Sequence, residues 1–309
     1  MLAAVCCGPL FAPGRAAATF PGRPGRIAWA LAANDPNYHV SPDYGILTVQ
    51  PSGRGERVLV SCATGDPNGD SPISCPQYSD VSYSADGTHL VWGLNTVAGQ
   101  YELVVAAANG ARRRVIAHPG EDEIEPSFSP RGDRLVYVRR RAGVRQIVTS
   151  DLAGGHVRLV TTGPVGHPEF SPDGRRILFI HRYSAWVVGT NGRGAKVLTT
   201  NAASADWSPN GKSILVVTPH GSLRTAPVAG NRWATLRIRL PDGSRGSNSS
   251  YAVFSPDGQS IAFDGPGPTI YTAPVGGGQA RTIDYFNTGD EGPVGGSNGV
   301  VGLSWQPER

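Results

Sequence analysis

Short apolar runs rich in β-branched and aromatic residues recur along the chain, separated by polar clusters dense in Gly, Pro, Asp and Ser. One unit is written most clearly over residues 167–180, HPEFSPDGRRILFI, and echoed by EPSFSPRGDRLVYV from Glu125, SADWSPNGKSILVV from Ser204 and SYAVFSPDGQSIAF from Ser250. In Ser171-Pro172-Asp173-Gly174 the proline presets φ for the first central turn position, aspartate suits the second, and glycine takes the left-handed position that follows. An aromatic closes the strand before this turn, and an apolar strand follows it, so each unit opens with a β-hairpin.

Aligned on the aromatic, the units fall at Tyr83, Phe128, Phe170, Trp207, Phe254 and Trp305, separated by 45, 42, 37, 47 and 51 residues. A third strand is predicted behind each hairpin, over 46–49, 103–106, 147–150, 186–189, 223–226 and 270–273. A fourth follows a glycine-containing turn, over 57–60, 113–116, 157–160, 196–199, 234–238 and 280–283. Four short strands repeating at this period describe a β-propeller of six blades. The last aromatic, Trp305, has no further strands behind it, whereas residues 25–30 match a second strand that lacks a first. The C-terminal strand is therefore expected to complete the first blade and close the ring, which removes open sheet edges. Phe20 lies seven residues before Ile27, the spacing of Phe254 to Ile261, so an N-terminal first strand competes with this closure.

Composition agrees with one all-β domain over 19–309: 39 % hydrophobic and 17 % charged residues, with 41 Gly and 26 Pro. The net charge of +4 is spread as scattered arginines without aromatic platforms, which argues against nucleic acid. No stretch approaches the ~20 apolar residues of a membrane-spanning helix. Residues 1–18 combine an apolar run with the Ala16-Ala17-Ala18 triplet of a secretory cleavage site, although the basic leader is missing. A periplasmic, cell-envelope or secreted monomer is expected. In that setting Cys62 and Cys75 read as a disulfide closing a surface loop, worth ~3 kcal/mol in the chain-entropy model.

The aromatic-Ser-Pro-Asp-Gly turn, the apolar strand, the third strand and the closing Val197-Leu198-Thr199 resemble the propeller repeats of the TolB family. The resemblance is to the propeller domain without the N-terminal α/β domain of TolB, and it implies a six-bladed fold. It leaves function open, because similar blades occur in peptidases of the prolyl oligopeptidase type and in oligogalacturonate lyases.

Candidate chemistry is sparse. Residues 295–299 match G-x-S-x-G, but a glycine-rich loop replaces the strand and helix that a nucleophile elbow needs. Asp66, Asn68 and Asp70 alternate as in a calcium loop, without its glycine and terminal glutamate. Arg131-Gly132-Asp133 occupies its own hairpin turn. Strand order places the connections between blades, and between second and third strands, on one face opposite the S-P-D-G turns. That long-loop face carries Glu121, Asp122 and Glu123, and Arg139, Arg140 and Arg141, a candidate binding patch whose two halves are also placed to pair with one another. His118, His167, His181 and His220 come from neighbouring blades on the same face and are the candidate ligands of a divalent cation. The sequence thus points to a non-catalytic platform for a protein or an envelope glycan, with no resident cofactor. The alternative is a metal-dependent polysaccharide lyase or hydrolase built on those histidines.

Overall fold

A computed structural model describes residues 20–32, 45–61, 78–96, 99–230, 232–246, 249–265, 269–285 and 299–308. The apolar runs become strands and the polar clusters become turns; the described residues contain no helix, and so none able to cross a membrane. Strands Gly299–Glu308, Arg23–Ala32, Gly45–Val49 and Arg57–Ser61 form the first antiparallel sheet in that order, so the C-terminal strand is its innermost member. Five more four-stranded sheets follow, with Tyr78–Tyr83, Glu121–Phe128, Val165–Phe170, Ser204–Trp207 and Ala252–Phe254 as their inner strands. The result is the expected six-bladed propeller.

Middle strands read as continuous apolar runs because both their faces are covered by neighbouring blades. In strand Arg176–His181, Ile177 and Phe179 pack with Val136, Val138 and Val160 of the third blade. Leu178 and Ile180, on the other face, join a second cluster that includes Trp207 and Val216 of the fifth. The repeat aromatics Tyr83, Phe128, Phe170, Trp207, Phe254 and Trp305 are all buried.

The repeated turn is a closed hydrogen-bonding unit. Ser171 Oγ donates to Asp173 Oδ1 at 2.5 Å and accepts from Arg176 N at 2.9 Å, while Gly174 N donates to Ser171 O at 2.7 Å. Burial would raise the Asp173 carboxyl, but the Ser171 hydroxyl, the Arg175 amide at 3.1 Å and the Arg176 and Arg175 charges hold it below its ordinary range. The turns also interlock around the ring. A Cβ on Gly174, Gly211 or Gly258 would meet Pro130, Pro172 or Pro209 of the preceding blade's turn, at 3.4, 2.9 and 3.6 Å.

Ring closure rebuilds the same turn from the two ends of the described chain. The Ser Oγ that accepts the first amide of the second strand elsewhere is replaced by Gln306 Oε1, which accepts from Arg26 N at 3.1 Å. Trp305 Nε1 donates to Gly25 O at 3.1 Å, and Gly22 N to Pro256 O at 3.4 Å. Phe20, the competitor for the inner strand, is no strand. It is buried and lines the ring's central cavity, next to the segment that joins the turn face.

One predicted strand differs. The fourth strand of the fifth blade stops at Ala234–Thr235, and Ile238–Arg239 pairs in parallel with Gly278–Gln279 of the sixth blade. Leu236, Ile238 and Leu240 alternate as a strand should, but they pack against Phe254, Ile261 and Ala280 of the sixth blade, which draws the segment across. The fourth strand of the sixth blade accordingly runs Arg281–Tyr285.

Candidate functional site

The inner strands leave one edge unpaired toward the ring axis, and their side chains there surround a cavity of about 120 Å³ touched by all six blades. Two layers can be read directly from the repeat. One residue before each aromatic stand Ser304, Ser82, Ser127, Glu169, Asp206 and Val253; three residues before stand Gly302, Asp80, Glu125, His167, Ser204 and Tyr251.

The lower layer ties blades together. Ser304 Oγ accepts from Tyr83 N at 2.9 Å, Glu169 Oε2 from Trp207 N at 3.3 Å, and Asp206 Oδ2 from Phe254 N at 2.6 Å. In each case a side chain one residue before the aromatic caps the amide of the next blade's aromatic, which has no strand partner. Burial, together with Asp206 as both a like charge and a hydrogen-bond partner, raises the Glu169 carboxyl well above its usual range.

The upper layer carries the charge. In the first four blades a β-bulge falls at this position: the register slips by one residue at Gly302, at Asp80, across Glu125-Pro126 and across His167-Pro168. Bulges re-aim side chains, and proline fits where no ladder donor is needed. Glu125 Oε2 accepts from His167 N at 2.6 Å, and Glu125 Oε1 pairs with Arg145 Nη2 at 2.6 Å. Arg145, on the third strand of the same blade, also donates from Nε to Val165 O at 2.7 Å. His167 Nδ1 lies 3.7 Å from Asp80 Oδ1, and its ring meets Tyr251 edge-on with centroids 5.7 Å apart. Burial opposes protonation of His167, but the Glu125 carboxylate and then Asp80 outweigh it and lift the imidazole to about 9. The layer thus sets two acidic side chains, Asp80 and Glu125, against His167 and Arg145. Behind it, Asp264 accepts from Ser250 N and Tyr251 N at 2.8 and 2.7 Å, yet burial still raises it to about 6.

Of the histidines proposed as joint metal ligands, only His167 lines this cavity. His181 packs beside Trp186 with centroids 5.9 Å apart, and His220 is exposed in a turn. His118 sits instead with Glu121 and Glu123, and the three offer ligand atoms within 4.8 Å of one another. The expected acidic and basic loops are strand ends: Glu121, Asp122 and Glu123 face Arg141, Arg140 and Arg139 in register. Arg140 pairs with Asp122 at 2.6 Å, while Arg139 and Arg141 approach Glu121 at 3.3 and 3.5 Å, so the charges are opposed across the strands. Glu123 is turned inward and fully buried against His118, and burial raises its carboxyl to about 7 despite the histidine. Asp66, Asn68, Asp70, Cys62, Cys75 and residues 1–18 lie outside the described residues.

Asp80, Glu125, Arg145 and Tyr251 do not emerge from a search among loops. The signal that finds three of them is the chemical variety at a fixed offset from the repeat aromatic; Arg145 needs the fold.

A family model described as the TolB beta propeller domain matches residues 76–230, half of the chain. TolB from Acinetobacter baumannii is similar with a TM-score of 0.68 and 18 % identity, over 92 % of this chain and 67 % of that one. A chain in the crystal structure of a nidogen/laminin complex gives 0.66 at 8 % identity, over 92 % and 99 %. A putative TolB from Agrobacterium tumefaciens gives 0.52 at 20 % identity, over 84 % and 98 %. At these identities the structural matches speak for the fold. The repeat chemistry, the ring of six sheets and the sequence match agree: the chain belongs to the TolB β-propeller domain family.

Proposed function

We propose that this protein is an exported, non-catalytic binding module that holds a protein partner of the cell envelope at the mouth of its channel, on the face opposite the S-P-D-G turns. The observation that carries this reading is the upper layer: Asp80, Glu125 and His167 meet as opposed charges around a cavity that Phe20 also lines, with Arg145 paired to Glu125 behind them. Such pairs can exchange a partner for a group of matching charge on an incoming chain, which gives specificity more than raw affinity. The cross-strand pairs of Glu121 and Asp122 with Arg139–141 lie at strand ends on that same face. Export is supported by the apolar N-terminal run and its small-residue triplet, and by the Cys62 and Cys75 spacing of a loop disulfide. Membership of a family that includes TolB agrees with an envelope setting.

The experiment is capture from envelope extracts by the purified chain, with mass spectrometry of what is retained. Asp80→Asn and His167→Ala are expected to lose the captured protein, and Arg175→Glu on the turn face to retain it. The proposal fails if the channel variants capture as the unaltered chain does. It fails equally if the chain captures no protein but retains or degrades an envelope glycan.

A further inference from the structure

His118, Glu121 and Glu123 form a second constellation, outside the channel, at the boundary of the second and third blades. His118 Nε2 lies 3.2 Å from Gly154 O, a group that can only accept, so this nitrogen carries the ring proton. The other nitrogen, Nδ1, faces Glu123 Oε1 at 2.5 Å. A proton or a cation must lie between two such atoms at that distance. The second oxygen, Glu123 Oε2, has no hydrogen-bond partner although the side chain is 0 % exposed. Glu121 completes the group, with the three sets of ligand atoms within 4.8 Å of one another.

We propose that His118, Glu121 and Glu123 bind a divalent first-row cation of the Zn²⁺ or Mn²⁺ type. One imidazole nitrogen and two carboxylate oxygens suit these ions, and a backbone carbonyl on the far ring nitrogen is the usual outer support of a ligating histidine. Ligand atoms at ~2.1 Å from an ion stand roughly 3.0 Å apart in octahedral and 3.4 Å in tetrahedral coordination, so His118 and Glu123 part by about 0.5–0.9 Å on binding. Arg139 and Arg141 approach Glu121 at 3.3 and 3.5 Å, longer than direct hydrogen bonds, which leaves its oxygens able to turn to the ion while the nearby positive charge moderates affinity. The ion ties the connection between the second and third blades to the inner strand of the third.

The test is calorimetric titration of the chelator-stripped chain with Zn²⁺ and with Mn²⁺. One ion per chain is expected for at least one of them. His118→Ala, Glu121→Gln and Glu123→Gln should each weaken it by about tenfold or more, whereas His220→Ala leaves it unchanged. Far-UV circular dichroism identifies the folded variants, and Glu121→Gln keeps a side chain of the same size at its strand end. No saturable binding of either ion by the unaltered chain overturns the proposal, as does unaltered affinity in the folded variants.

Discussion

Replacing His167 by glutamine tests whether the upper layer is an electrostatic unit. The folded pKa of about 9 lies above the ordinary value of 6.5, so the imidazolium stabilises the fold fully below about pH 6.5 and ceases to as the pH rises through about 9. At 1.36 kcal/mol per unit the span is roughly 3 kcal/mol. The ring keeps 29 % of its exposure, so water screens part of this and about 2 kcal/mol is the working figure. Glutamine preserves size and polarity but cannot carry the charge. The backbone strain at this position, φ +49°, is common to both proteins and cancels in the comparison. Glu123 and Asp264, raised to about 7 and about 6, also lower stability as the pH rises through the range from their unfolded values to these, but they do so equally in both proteins. The assay is urea denaturation followed by tryptophan fluorescence at pH 6 and pH 9.5. With a slope of ~3 kcal/mol per molar, the midpoint gap between the unaltered chain and His167→Gln is expected to shrink by about 0.7 M at the higher pH. A gap of the same size at both pH values would refute the charged pairing.

Three further outcomes follow from named contacts. Gly302→Ala places a Cβ 2.5 Å from Asp80 Cα at φ +77° and is expected to destabilise by more than about 2 kcal/mol in the same denaturation assay. Asp206→Ala strands the buried amide of Phe254, at a cost of ~2 kcal/mol by urea midpoint, while Asp206→Asn, which keeps an acceptor, costs less. Trp305→Ala empties a buried site in the closing strand and removes its bond to Gly25; a loss of ~3–5 kcal/mol, read as a lowered melting temperature and faster proteolysis, is expected.

The ring was legible because its determinants are local. Ser171, Pro172, Asp173 and Gly174 make their turn from four consecutive residues, and the second-strand pattern of residues 25–30 pairs with the inner-strand pattern around Trp305. Where the partner decides, the sequence falls silent: Leu236, Ile238 and Leu240 alternate correctly for a strand, but nothing in the alternation says that it belongs beside the sixth blade. The site is intermediate. His167 announces itself by residue type, whereas Asp80 and Glu125 look like the acids of any solvated strand until the bulges aim them at the ring axis. Glu121 to Glu123 and Arg139 to Arg141 read as loops because six charges in two short runs suit solvent; cross-strand pairing lets them extend the ladder instead.

The bulges also separate structure from function more sharply than the loops do. Gly302, at φ +77°, adopts the left-handed conformation without penalty, while Glu125 and His167 hold the same region at φ +56° and +49°. Strain of that kind costs on the order of 1–3 kcal/mol per residue, and glycine at either position would relieve it. The charged contacts recover part of the cost: Glu125 accepts the amide of His167 and pairs with Arg145, so the strained positions support each other. A purely architectural ring has no need of this arrangement, since the lower layer and the interlocked Pro–Gly turns already join the blades. Side chains kept at strained positions, facing the cavity and neutralised among themselves, are the feature on which the proposed binding role rests.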